Sequence, residues 1–174
     1  MVLRVKSFIP ILFPLFFLFL LNSSLVTAEP TPGKKFGDWL HECEAAGEGE
    51  PICALTQAVP TSDGKGTLLK LTIRKLGKEQ VPILVALVPL GIYLPSGIVA
   101  MVDNGPQFSL VVQTCTVQGC EAFIPQNPKE LWRLKAGKKL LIGFKAKRGP
   151  STVTVPVSLE GVSEGLLALG WKGW

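Results

Sequence analysis

The chain has 174 residues, with 18 Lys+Arg against 13 Asp+Glu, a formal net charge of +5, and 47% hydrophobic residues. So mild a basic bias permits a weak preference for anionic surfaces without demanding one. No nucleic-acid-binding module is recognisable, and the sequence carries no Gly-x-Ser-x-Gly elbow of the kind that hydrolases use.

Residues 1–28 have the three parts of a secretory signal. Arg4 and Lys6 make a positive start, Phe8–Leu21 is an apolar run of fourteen residues broken by Pro10 and Pro14, and Asn22–Ala28 is small and polar. Val26-Thr27-Ala28 places small side chains at the −3 and −1 positions, so cleavage is expected after Ala28. An uncleaved anchor would need ~20 apolar residues, more than this run offers. Removal takes Arg4 and Lys6 with it, leaving 16 basic against 13 acidic residues, or +3. The remainder is the size of one domain, able to bury roughly two-thirds of its unfolded surface.

Glu29–Lys35 is a Pro/Gly/Lys segment expected to be a mobile leader, and the domain is expected over residues 36–170. Trp39, His41 and Cys43 alternate with Leu40 and Glu42, a strand pattern. Glu44–Pro51 is a loop by composition, and Ile52–Val59 is a second strand. Cys43 and Cys53 then face each other across the end of a hairpin. A turn follows at Thr61–Gly66. In Leu68–Lys75, Leu69, Leu71 and Ile73 point one way and Lys70, Thr72 and Arg74 the other, as on a half-buried antiparallel strand. Val81–Val88 is apolar throughout, so burial on both faces is expected, with Pro82 confined to its start or to an edge.

Pro89-Leu90-Gly91 and Pro95-Ser96-Gly97 interrupt the chain before a strand at Ile98–Val102 and a turn at Asp103–Pro106. Phe108–Cys115 and Cys120–Ile124 then form a hairpin with a cysteine on each arm. Asn127–Leu134 reads as a helical turn with Asn127 as N-cap, Pro128 at the first position and Glu130 at the third. Lys139–Lys147 alternates again, with Leu140, Ile142, Phe144 and Ala146 inward. In Ser151–Leu159 the valines 153, 155 and 157 share a face. Ser163–Leu169 is a short helix with Ser163 as its expected cap, and a tail at 171–174 carries Trp171 and Trp174. About nine short strands with turn residues between them predict an all-β antiparallel sandwich or barrel-like fold, with one short C-terminal helix.

All four cysteines lie after the signal, and an even count in an exported chain favours disulfides. Four cysteines allow three pairings. Nearest-neighbour pairing, Cys43–Cys53 and Cys115–Cys120, is preferred because each pair brackets a turn-like segment. The loop-entropy relation gives ~2.8 and ~2.2 kcal/mol for the two bridges. A zinc site is disfavoured, because Cys43-x9-Cys53 lies outside the usual ligand spacing, so neither metal nor cofactor is expected.

A set of motifs runs in order along the chain: Phe36-Gly37-Asp38-Trp39 with Glu42-Cys43, then Cys53, Pro89-Leu90-Gly91 with Leu94 and Gly97, and Val102-Asp103. They continue with Cys115 and Gly119-Cys120-Glu121-Ala122, and close with Pro156–Gly161. In this order they resemble the invasion-associated locus B family of exported Gram-negative proteins. The order, rather than any one motif, carries the resemblance, which spans nearly the whole mature chain. Val162 departs from it, since the family usually has an aromatic there. The resemblance implies a periplasmic or outer-membrane-associated all-β protein without known catalytic residues, whose founding member is linked to host-cell entry.

Three groups of residues are candidates for function. His41, the sole histidine, would act as a general base if Asp38 or Asp103 oriented it; a lone histidine in an alternating strand is more often structural. Cys115 and Cys120 would serve a secreted thiol oxidoreductase, but such enzymes use Cys-x-x-Cys, and a structural bridge fits better. Lys70, Arg74, Lys139, Lys145 and Lys147, with Lys75, Lys78, Lys138 and Arg148, would make an anionic-surface patch if their strands were neighbours. Otherwise they are a solvated face that resists aggregation. A non-enzymatic interaction domain is therefore expected, its partner an envelope or host protein or an anionic membrane surface. The alternative is an oxidoreductase or hydrolase using Cys115/Cys120 or His41.

Overall fold

Alternating apolar residues dictate strands with one dry face, and the computed structural model, which describes residues 32–45, 49–77, 79–146 and 152–171, has ten of them. They are β1 (Lys35–Phe36), β2 (Trp39–Glu44), β3 (Ile52–Pro60), β4 (Thr67–Leu76), β5 (Val81–Val88), β6 (Ile98–Val102), β7 (Gln107–Thr116), β8 (Gly119–Pro125), β9 (Lys139–Lys145) and β10 (Thr152–Ser158). Helix α1 covers Pro128–Ala136 and α2 covers Val162–Ala168. Every strand pairing is antiparallel, in the order β1-β2-β3-β4-β5-β8-β7-β6-β9-β10. The expected signal segment, Lys147 and Trp174 lie outside the described residues.

The dry faces meet in one core. Leu69, Leu71 and Ile73 of β4 are sealed from solvent, as are Leu140 and Ile142 of β9, while Val155 and Val157 of β10 are nearly so. β5 is buried on both faces, with Leu84 and Ala86 inside and Ile83 and Val85 on the opposite side. Such a run has no alternation to show, because both faces are dry.

β7 does two jobs. Residues 107–110 pair with β6, and Val111–Thr116 pair with β8, with a register shift between Val112 and Thr114. A bulge of this kind bends a strand and increases its twist. One strand thus carries the sheet round from the β2–β5 meander to the β6–β9–β10 group.

The sheet closes through side chains. Among the described residues, β10 makes no ladder with β3. Instead the Gln57 amide on β3 meets the Ser158 backbone on β10 twice. Ser158 N–H donates to Gln57 Oε1 at 3.1 Å, and Gln57 Nε2 donates to Ser158 O at 3.2 Å. Trp39 Nε1 donates to the same carbonyl at 3.0 Å from a fully buried indole. Beside this junction, Gly37 and Gly161 lie backbone to backbone. Gly161 has φ +88°, and a Cβ there would overlap Phe36 O.

Three local expectations are corrected. The β structure starts at Lys35, and Gly33 N–H and His41 N–H bond to His41 O and Lys34 O, at 2.7 and 2.8 Å. The end of the expected leader is therefore tied to β2. The Asn127–Leu134 turn is a full helix of nine residues, with the expected cap: Asn127 Oδ1 accepts from Glu130 N–H, and Glu130 reaches back to Asn127 N–H. Ser163 does not cap α2. Gly161 holds the cap position, and Ser163 Oγ donates to Lys135 O at 3.0 Å, joining α2 to α1.

Gln57→Leu removes both closing bonds and strands the Ser158 N–H in partly buried surroundings. It should lower the unfolding free energy by about 1–3 kcal/mol, read as a lower urea midpoint. An unchanged midpoint would show that closure does not depend on this amide.

Candidate functional site

Strand pairing decides which candidate residues meet. On β2, Trp39, His41 and Cys43 share the inward face, two residues apart. His41 stands opposite Leu55, and Cys43 opposite Cys53. The Cys43–Cys53 disulfide is formed, and His41 Nε2 lies 3.9 Å from Cys43 Sγ. His41 is 2% exposed, and its Nδ1 is buried without a hydrogen-bond partner.

The second disulfide, Cys115–Cys120, joins directly opposed residues of β7 and β8 beside a two-residue turn. Cys115 is exposed and Cys120 buried. Gly119 is required at this turn. Its φ is +140°, and a Cβ would overlap Val88 O on the next strand. No cysteine is free. Both local pairings are those expected from the sequence.

The carboxylates proposed to orient His41 are engaged or distant in role. Asp103 accepts from the backbone N–H groups of Lys138 and Lys139 at 3.0–3.2 Å and so pins the start of β9. Asp38 is exposed, and its backbone N–H reaches Glu160 O at 3.3 Å. Among the described residues, the imidazole has no hydrogen-bonded carboxylate or hydroxyl.

Among the described residues, the basic candidates fall on strands that do not pair. Lys70 and Arg74 lie on β4, whereas Lys139 and Lys145 mark the two ends of β9, five places away in the sheet order. Lys70 also pairs with Glu42 at 3.5 Å. Among the described residues, one ionisable group has a clear shift, Asp63. The Thr61 hydroxyl and the Lys65 N–H hold its carboxyl below the usual range. That contribution is present above the ordinary carboxylate pKa and fades as pH falls through the lowered one.

The sequence reading missed a set of exposed apolar residues. Leu90, Tyr93 and Leu94 in the β5–β6 loop are 56%, 47% and 49% exposed, and Val117 at the β7–β8 turn is 89% exposed. Val88 pairs with Cys120, which brings the start of that loop beside the turn. Trp132 on α1 is 66% exposed. Its signal was legible: Leu131 and Leu134 are the buried helix positions, and 132 lies off their face. Trp171, by contrast, packs against the core.

These features define a small β domain stapled by two local disulfides, whose sole imidazole is internal. A profile of the invasion associated locus B (IalB) protein family matches residues 39–170, and the chain belongs to that family. It is 26% identical over 144 residues to invasion protein B homologs of Brucella abortus strains 2308 and 9-941, covering 83% of this chain and 82% of each relative. The crystal structure of invasion associated protein B from Bartonella henselae superposes with a TM-score of 0.69 at 23% identity, covering 78% of this chain and 92% of that one. The fold is shared. Val162, the first residue of α2, is fully buried.

Denatured, unreduced protein should release no reactive thiol. Replacing either cystine with two alanines should cost about 2–3 kcal/mol in urea unfolding. Two titratable thiols in the wild-type chain would contradict the bridges.

Proposed function

We propose that this chain is an exported, non-enzymatic interaction domain of the bacterial envelope, cleaved after Ala28 and acting in the periplasm or at the outer membrane. The observation that carries the reading is the division of chemistry between inside and outside. The one imidazole is sealed against a cystine, while Leu90, Tyr93, Leu94 and Val117 stand in solvent on the β5–β6 loop and the β7–β8 turn. A general base has to reach a substrate proton, and His41 is turned inward. Exposed Leu90, Tyr93, Leu94 and Val117 are residues of the kind that contact surfaces bury.

Two local cystines suit an oxidising compartment, which supports export. Among the described residues, no helix is long and apolar enough to cross a membrane. The relatives' names link them to invasion, so the partner class is an envelope or host protein, with an anionic membrane surface as the other contact. The exposed Leu90, Tyr93, Leu94 and Val117 favour the protein partner, since Lys70 and Arg74 sit on β4 and Lys139 and Lys145 on β9, strands that do not pair.

The test is fractionation of native cells with a photo-cross-linking residue at Tyr93 or Val117, and a control at exposed Thr154 on β10. The expected result is a chain beginning at Glu29 in the envelope fraction, cross-linked from 93 and 117 and not from 154. A chain retaining residues 1–28 in the cytosol, or equal cross-linking from all three positions, would refute the reading.

A further inference from the structure

We propose that the corner formed by His41, Cys43 and Cys53 is a redox-gated site for a thiophilic d10 cation such as Zn2+, closed while the cystine is intact and open when it is a dithiol. This goes beyond the interaction role and does not depend on it.

The first observation is convergence. One imidazole nitrogen of His41 and the two sulfurs lie within 4.8 Å of one another. A tetrahedral Zn2+, with Zn–S of about 2.3 Å and Zn–N of about 2.0 Å, holds such atoms about 3.5–3.8 Å apart. The 3.9 Å from Nε2 to Cys43 Sγ is already close to that. The second observation is the state of the ring. His41 is 2% exposed, one nitrogen faces a sulfur and the other has no partner. Buried polar atoms are normally satisfied; a metal ion would engage Nε2, the nitrogen that faces the sulfur, and leave Nδ1 as it stands.

The pairing of β2 with β3 builds the site. His41 and Cys43 share a face because they are two apart, and the register sets Cys53 opposite Cys43. Cysteine spacing alone could not reveal it, since the third ligand is a histidine supplied by the strand's alternation. Cys43 and Cys53 are half-buried rather than sealed, which leaves a route from solvent and a fourth position for water.

The chemistry balances simply. A phosphine reductant supplies two electrons and takes the oxygen of one water, becoming its oxide, and the cystine becomes two thiols. Zn2+ then displaces both thiol protons to solvent and accepts the lone pair of neutral His41. Two thiolates offset the ion's charge, so the buried site gains no net charge.

The experiment uses the mature chain with Cys115→Ser and Cys120→Ser, reduced by a phosphine and titrated with Zn2+ against a chromogenic chelator. One equivalent should bind, and the single histidine's ring signals should shift in the NMR spectrum at the same stoichiometry. His41→Gln should weaken binding by more than about 100-fold, because even partners outside the metal's ligand shell are worth about 10–100-fold. Adding Cys43→Ser and Cys53→Ser should abolish binding. Unmoved ring signals, unchanged affinity in the Gln variant, binding that survives loss of both cysteines, or a reduced chain that unfolds without taking up Zn2+ would each overturn the proposal. If the Gln variant does not fold, the ring signals of the unsubstituted histidine decide the matter. Failure here would leave the envelope cross-linking result untouched.

Discussion

The fold depends on one side chain acting as backbone. A ten-stranded sheet that curls must either finish with exposed edges or find something to close it. Here the Gln57 amide presents a carbonyl oxygen and an N–H group to Ser158, as a neighbouring strand would. The Trp39 indole adds a third bond to the same residue. Because β2 and β3 come early and β10 near the end, these contacts join residues 101 and 119 positions apart. They hold the two halves of the core against each other where no ladder does.

That closure explains motifs which would otherwise invite a catalytic reading. Phe36-Gly37-Asp38-Trp39 and the Pro156–Gly161 segment meet at the junction, where Gly37 and Gly161 allow two backbones to touch. Asp103 adopts φ +49° and spends its carboxylate on the start of β9. Gly119 lets the stapled hairpin lie against Val88. Each is an architectural constraint.

Much of this was legible in the residues. Alternation gave β2, β4, β9 and β10, and uniform apolarity gave the doubly buried β5. Asn127, Pro128 and Glu130 gave the start of α1, because capping is a local matter of side chain to backbone. The bridges followed from cysteines at the facing ends of hairpins. What was hidden depended on distant parts of the chain. Gln57 looks like any polar residue in a strand, because its partner lies on β10. Ser163 looked like a helix cap, but the close approach of Phe36 gave that position to Gly161. Whether Lys70 and Lys139 had neighbouring strands was likewise hidden, and the sheet order puts β4 and β9 apart. The parts of the group formed by His41, Cys43 and Cys53 were legible: alternation gave the first pair, and the facing hairpin ends gave Cys53.

The placement of the two staples follows from where the sheet is weakest. β2 is bordered on its outer side only by the two-residue β1, and the Cys43–Cys53 bridge ties it to β3. The second half of β7 has the same weakness. β6 pairs only with residues 107–110, so among the described residues Val111–Thr116 has β8 on one side and no strand on the other. That segment carries no charge and no proline, the two devices that usually blunt an edge. Fixing Cys115 to Cys120 keeps it registered on β8, so its open backbone cannot peel away to pair with another chain. The bridges therefore stabilise more than loop entropy alone describes. They hold the two thinly bordered strands in place, and in doing so they keep the exposed turn at Val117 in a fixed position beside Leu90.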